Sequence, residues 1–200
     1  MKFTVRSVTI VMISALLFVL CIMGFLYAGF GSDSITVFED GLRSFFHISI
    51  GNAALIYNTA AFILGILFAR KYMGWGSVVN GFLIGILLNV LEPVFLPFFT
   101  LSDSLVFRIF LLVFALLACS SGCGLLIVGD AGMNCLDAIV TAVSDRTKIP
   151  FRYGRILVDA GLMCTGYLLG GTVGIGSIAA VLCLGPMISW TVNVFRKIGF

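Results

Sequence analysis

From Ala160 to Phe195 the chain runs for 36 residues without a charged side chain, and from Ser7 to Ser32 for another 26. Stretches of that kind have few homes. A helix of about 20 apolar residues crosses a hydrocarbon core of about 30 Å at about 1.5 Å per residue. A soluble particle of 200 residues could not keep this much apolar surface out of water, because 60% of its residues are hydrophobic and only 10% charged. Soluble readings fall here. The expected class is an all-α polytopic membrane protein, folded as a single membrane domain over residues 1–200.

The apolar runs divide at charges and glycines into six expected spans. The first, about 8–29, begins like a signal peptide, but its charge-free run is too long for one and no small-x-small cleavage site follows promptly. A second span, 52–69, stops at Arg70-Lys71, and a third, 77–98, is interrupted by Glu92-Pro93 and Pro97. The fourth is 105–128. The 36-residue run exceeds one upright helix, and the glycines from Gly170 to Gly176 break it into spans of about 153–170 and 177–195.

Basic residues then orient the spans. With the N-terminus inside, the cytoplasmic segments hold Lys2, Arg6, Arg70, Lys71, Arg146, Lys148, Arg152, Arg155, Arg196 and Lys197. Only Arg43 and Arg108 fall outside, which follows the positive-inside rule and puts both termini in the cytoplasm. The same rule accounts for the net charge of +3, so a nucleic-acid partner is not inferred. The expected setting is the bilayer of a bacterial plasma membrane.

The chain also repeats itself. At an offset of 100, Gly24-x4-Gly29 recurs as Gly124-x4-Gly129, Gly76-Ser77 as Gly176-Ser177, and Gly85 as Gly185. At 101, Gly31 falls on Gly132, Asn58 on Asp159 and Gly65 on Gly166. Each copy, about 8–99 and about 105–197, reads as a long span, a polar stretch with a short helical segment, a span, a tight turn and a span. Three spans per copy return the chain on the opposite side, so the two copies are expected to have inverted topology. That plan is common among secondary transporters, though it also occurs in channels and does not by itself establish transport.

The stretch Gly132-Met133-Asn134-Cys135-Leu136-Asp137-Ala138, with Tyr153-Gly154-Arg155, Asp159 and Gly170 to Ser177, resembles the YczE/YyaS/YitT group of bacterial integral membrane proteins. The likeness covers nearly the whole chain and is densest over 129–186. It implies a polytopic plasma-membrane protein and carries no assigned activity.

Polar groups inside the apolar pattern are the candidate site residues. Asp159 lies one or two turns into the fifth span, four residues after Arg155. Two readings stand: an Arg155–Asp159 pair snorkelling at the interface, or an ion- or proton-coupled carboxyl. Asn58 is its mate in the first copy. Asn134 and Asp137 open the short segment 136–144, either as a helix cap with Asp137 reaching back, or as a re-entrant helix start facing a ligand. Its first-copy counterpart, 33–41, is acidic too. Glu92, beside Pro93, is the last candidate, read also as a kinked helix end. The six cysteines fall mostly in apolar runs and read as small packing residues, with no metal or other cofactor expected. Hydrolase, zincin and phosphate-loop motifs are missing, so no enzyme is expected.

Two functions remain in view: a small secondary transporter or permease, its solute carried with proton or ion coupling, and a membrane accessory or interaction protein assisting secretion, assembly or signalling. A central polar cavity lined by Asp159, Asn58 and Asp137 would favour the first. Those groups at the rims of a closed bundle would favour the second. Oligomeric state is not encoded in any feature noted above.

Overall fold

A computed structural model describes residues 5–99, 104–129 and 134–198, all helical apart from short connections. The helices are α1 (Val5–Ala28), α2 (Ser34–Phe46), α3 (Ile50–Ala69), α4 (Trp75–Phe99), α5 (Leu105–Val128), α6 (Cys135–Thr147), α7 (Phe151–Leu168) and α8 (Ile175–Ile198). Lys2, Gly132 and Met133 lie outside the described residues.

Five of these helices, α1, α3, α4, α5 and α8, are long and apolar enough to cross a membrane. The chain is therefore a multi-pass, bilayer-embedded protein. α7 falls short of that standard: it has 18 residues and carries Arg152, Arg155 and Asp159. The expectation of six spans thus does not follow from length and apolarity alone. α2 and α6 have 13 residues each, about 20 Å of helix, too short to span.

α1 and α5 pack along each other at the centre, joined by small residues. A Cβ on Gly24 would meet Ala115 Cβ at 3.0 Å, and Ser14 Oγ donates to Gly122 O at 2.9 Å across the seam. Close approach and cross-helix hydroxyl bonds are the ordinary adhesives of membrane bundles. Cys21 meets Cys119 here, and Cys119 meets Cys123 one turn away, all as free thiols. On the far side of α5, Thr191 Oγ1 of α8 donates to Ser120 O at 2.9 Å.

The halves match element for element. Gly74 N donates to Ser77 Oγ at 3.2 Å, and one hundred residues on Gly174 N donates to Ser177 Oγ at 3.4 Å. Asp33 and Asn134 occupy the N-cap positions of α2 and α6, while His47 and Lys148 close those helices in the left-handed conformation. α1 packs on α4 as α5 packs on α8, and α2 packs on α7 as α6 packs on α3. The correspondence breaks most widely at one seam: α3 lies closely against α4, whereas α7 and α8 do not pack closely along each other.

The short helices are not surface loops. Thr36, Val37, Glu39, Gly41 and Leu42 of α2 are buried, as are Leu136, Ala138, Val140 and Ala142 of α6. The polar stretches between the spans therefore each lend a helix to the bundle. α2 enters between α3 and α7, and midway along it Asp40 accepts from Thr172 N at 2.9 Å in the α7–α8 turn. At the other end of the bundle, Tyr72 of the α3–α4 turn donates to Asp145 near the end of α6. α7 starts directly after α6 and ends beside α2 at Gly170 and Thr172, so it runs between these two ends, as α3 does in the other direction.

Candidate functional site

Arg155 organises the polar centre. Its side chain projects from the second turn of α7, where Nε donates to Asp159 Oδ2 at 2.8 Å and a terminal nitrogen donates to Asp137 Oδ1 on α6. Asp159 Oδ1 in turn accepts from Ser34 Oγ, the first residue of α2, at 2.6 Å. One cation and two carboxylates thus tie together α2, α6 and α7. All three charged side chains are only partly buried, with 20–29% of their surface exposed. The pair read from the i, i+4 spacing is present, and a second acid joins it from another helix.

That second acid corrects the capping reading. Asn134 holds the N-cap position of α6, and Ala138 N donates to its carbonyl at 2.9 Å, but its side chain makes no capping bond. Asp137 cannot reach back because it is engaged by Arg155. The charge-assisted bond to a guanidinium outweighs a neutral cap, which is worth about 1 kcal/mol.

Asn58 and Glu92 are not brought into this cluster. Asn58 is buried in the α3–α4 seam, where Nδ2 donates to Ala54 O at 2.9 Å and a Cβ on Gly81 would meet Oδ1 at 3.0 Å. Glu92 pairs with Arg43 of α2 at 3.5 Å, at the Thr172 end of α2. Asn58, held in the α3–α4 seam, thus stands apart from the Asp137–Arg155–Asp159 cluster. One depression is lined by Tyr27, Ser32, Asp40, Arg43 and Thr172, and another by Arg70, Lys71, Tyr72, Asp145 and Arg146; neither touches Asn58, Asp137 or Asp159.

Two groups were not singled out from sequence. Asp33 accepts from Thr36 Oγ1 at 2.6 Å, and withdrawal from water pushes its carboxyl above the ordinary range despite that bond and the nearby Arg155 charge. Glu39, two turns into α2, is fully buried. Its signal in the sequence is positional: it stands on the same helical stripe as Ile35, Phe38, Leu42 and Phe46, where an apolar residue belongs. Arg108, by contrast, has a structural task. Its Nε donates to Ala28 O at 2.8 Å at the C-terminal end of α1, and its guanidinium lies 4.8 Å from the Phe30 ring.

A family model described as a family of unknown function, DUF6198, matches residues 5–193. The chain belongs to that family. An uncharacterized protein of Haemophilus influenzae is 22% identical over 191 residues, covering 93% of this chain and 85% of the relative. No solved structure matches. These likenesses run across both halves, so the family is defined on the whole bundle, and they bring no substrate with them.

Proposed function

We propose that this protein is a small secondary transporter in a bacterial plasma membrane, related to the YczE/YyaS/YitT group and built from two inverted three-span repeats. α7 is its sixth span, which returns both termini to the cytoplasm. The charges that keep α7 from qualifying by composition favour this reading once their partners are counted. Arg155 lies between Asp137 and Asp159, so the helix presents a largely compensated set rather than a bare cation. Ligand recognition at this junction would fall to Asp137, Arg155, Asp159 and Ser34, with Asn134 beside them. No enzymatic step is proposed.

The observation that carries the reading is the broken correspondence between the halves. Two repeats with the same order of helices differ at this seam, α3–α4 closed and α7–α8 open. At the closed seam a Cβ on Gly85 would lie 2.5 Å from Leu55 Cγ, whereas its mate Gly185 has nothing within 4 Å. An inverted pair with one seam closed and the other open has a second state of comparable packing available, in which the roles exchange. Alternating access is that exchange.

The test is paired crosslinking in a cysteine-free background reconstituted in liposomes. Cysteines replace Leu55 and Gly85 in one protein, and their mates Ile156 and Gly185 in another. Short bifunctional reagents should trap each pair in part of the population, and either trap should stop uptake from a panel of small solutes. A 156–185 pair that never crosslinks, together with no uptake of any solute, would overturn the transporter and favour a membrane accessory protein whose open seam takes a partner helix.

A further inference from the structure

Glu39 has no part in the junction just described, yet it is the most thoroughly buried carboxyl in the described bundle, 1% exposed. Its Oε2 has no hydrogen-bond partner. The surrounding elements leave it without a counter-ion. On its own helix, Asp33 is of the same sign, Asp40 turns to Thr172, and Arg43 reaches Glu92. Among the described side chains of α7 the charged ones are Arg155 and Asp159, committed to Asp137 and Ser34. α1 brings Cys21 within electrostatic range, and α3 brings Tyr57, whose buried hydroxyl also lacks a partner.

A bare carboxylate in such a place is costly by any scale, and the group lowers that cost by binding a cation or a proton. Among the described residues no set of three metal-ligating side chains gathers here, so a multivalent metal is not the fit. We propose that Glu39 is a proton-binding site within the bundle, protonated in the packing described and releasing its proton when α2 shifts in its crossing between α3 and α7. The bound form is the neutral acid, made from the carboxylate and one proton of the medium. Burial holds its carboxyl well above the usual range, in accord with this assignment. Tyr57, its hydroxyl buried and without a partner, lies within electrostatic range of the group. That the proton drives a solute rests on the transport reading above; that Glu39 carries one does not.

Infrared spectroscopy of the whole protein in lipid nanodiscs reads the carbonyl stretch of a protonated carboxylic acid directly. At neutral pH the wild type should show such a band, and Glu39→Gln should lose it. Should Glu39→Gln fail to fold, Asp33→Asn, Asp137→Asn and Asp159→Asn serve instead, and the band should survive in all three. Absence of the band in the wild type, its persistence in Glu39→Gln, its loss in Asp33→Asn alone, or its replacement by a carboxylate band on adding sodium or potassium would each overturn the site. A Glu39 band, with a 156–185 pair that never crosslinks and no solute uptake, would sink the transport reading and leave the proton site standing.

Discussion

Gly41 and Gly166 meet backbone to backbone where α2 crosses α7. A Cβ on Gly41 would lie 2.4 Å from Gly166 O, and one on Gly166 would lie 2.7 Å from Phe38 Cα. Neither neighbour is a side chain that could turn aside. Gly41→Ala and Gly166→Ala should therefore each destabilise the bundle by about 1–3 kcal/mol, as overpacking does elsewhere. Gly161→Ala and Gly185→Ala, where nothing lies within 4 Å, should be neutral or gain up to about 1 kcal/mol of helix propensity. Thermal unfolding in detergent compares the four. Equal losses at all four positions would mean that the α2–α7 crossing is not so close.

The Arg155 junction makes a graded prediction. Removing Arg155 leaves Asp137 and Asp159 as neighbouring acids without their shared cation, whereas removing either acid leaves one ion pair intact. Arg155→Gln should cost about 2–3 kcal/mol, and Asp159→Asn or Asp137→Asn about 1 kcal/mol, the partial exposure of all three keeping these values modest. Combining Arg155→Gln with Asp159→Asn should cost less than the sum of the singles, since the second change relieves a repulsion that the first created. Strict additivity in the double-mutant cycle would show that the two side chains do not act together.

Much of this architecture is legible in the sequence because the bilayer imposes a length scale. Apolar runs of span length, divided at charges and glycines, placed every long helix to within about three residues. The short helices were legible as well, through repeat spacing. Their depth was not. Sequence patterning shows a polar stretch with a short helix but does not set its depth, and burial of α2 depends on Gly41 and Gly166 meeting across 125 residues of chain. The same limit applied to Asn58 and Asp159. Equivalent places in two copies need not adjoin, and here the closed α3–α4 seam took Asn58 into itself. Of the two readings of Asn134 and Asp137, the one in which Asp137 reaches back rested on a local partner three residues away, which a sequence shows, whereas a guanidinium on another helix is not visible there.

Glu39 should also leave a mark on stability. Its folded-state carboxyl is raised, so between the ordinary glutamate value near pH ~4.3 and that raised value the folded chain keeps a proton the unfolded chain has lost. The group's favourable contribution is complete below the unfolded value and is lost as pH rises through the folded one. Wild-type stability in detergent should therefore decline with pH over that window, and Glu39→Gln should flatten the decline and be the more stable protein at its upper end. A Gln variant with an unchanged pH slope would assign the titration to another group.

His47 and Lys148 occupy matching places 101 residues apart, both exposed, both with positive φ, each closing a 13-residue helix. If the repeats are inverted, these equivalent positions face opposite sides of the membrane. Thr172 and Lys197, also exposed, extend the comparison across α7 and α8. Single cysteines at the four sites, each in a cysteine-free background, can be probed with an impermeant thiol reagent on intact cells and again after permeabilisation. Positions 47 and 172 should react from outside, and positions 148 and 197 only after permeabilisation. The pair 148 and 172 isolates α7, since nothing else lies between them but the turn before α7 and the turn after it. Thr172 beside Asp40 at one end, and Asp145 beside Tyr72 at the other, set those sites at the two ends of the bundle. Matching behaviour at 148 and 172 would remove α7 from the spans, leave five, and put the C-terminus outside. Matching behaviour at 47 and 148 would go further and end the inverted-repeat reading, and with it the symmetry argument on which alternating access rests.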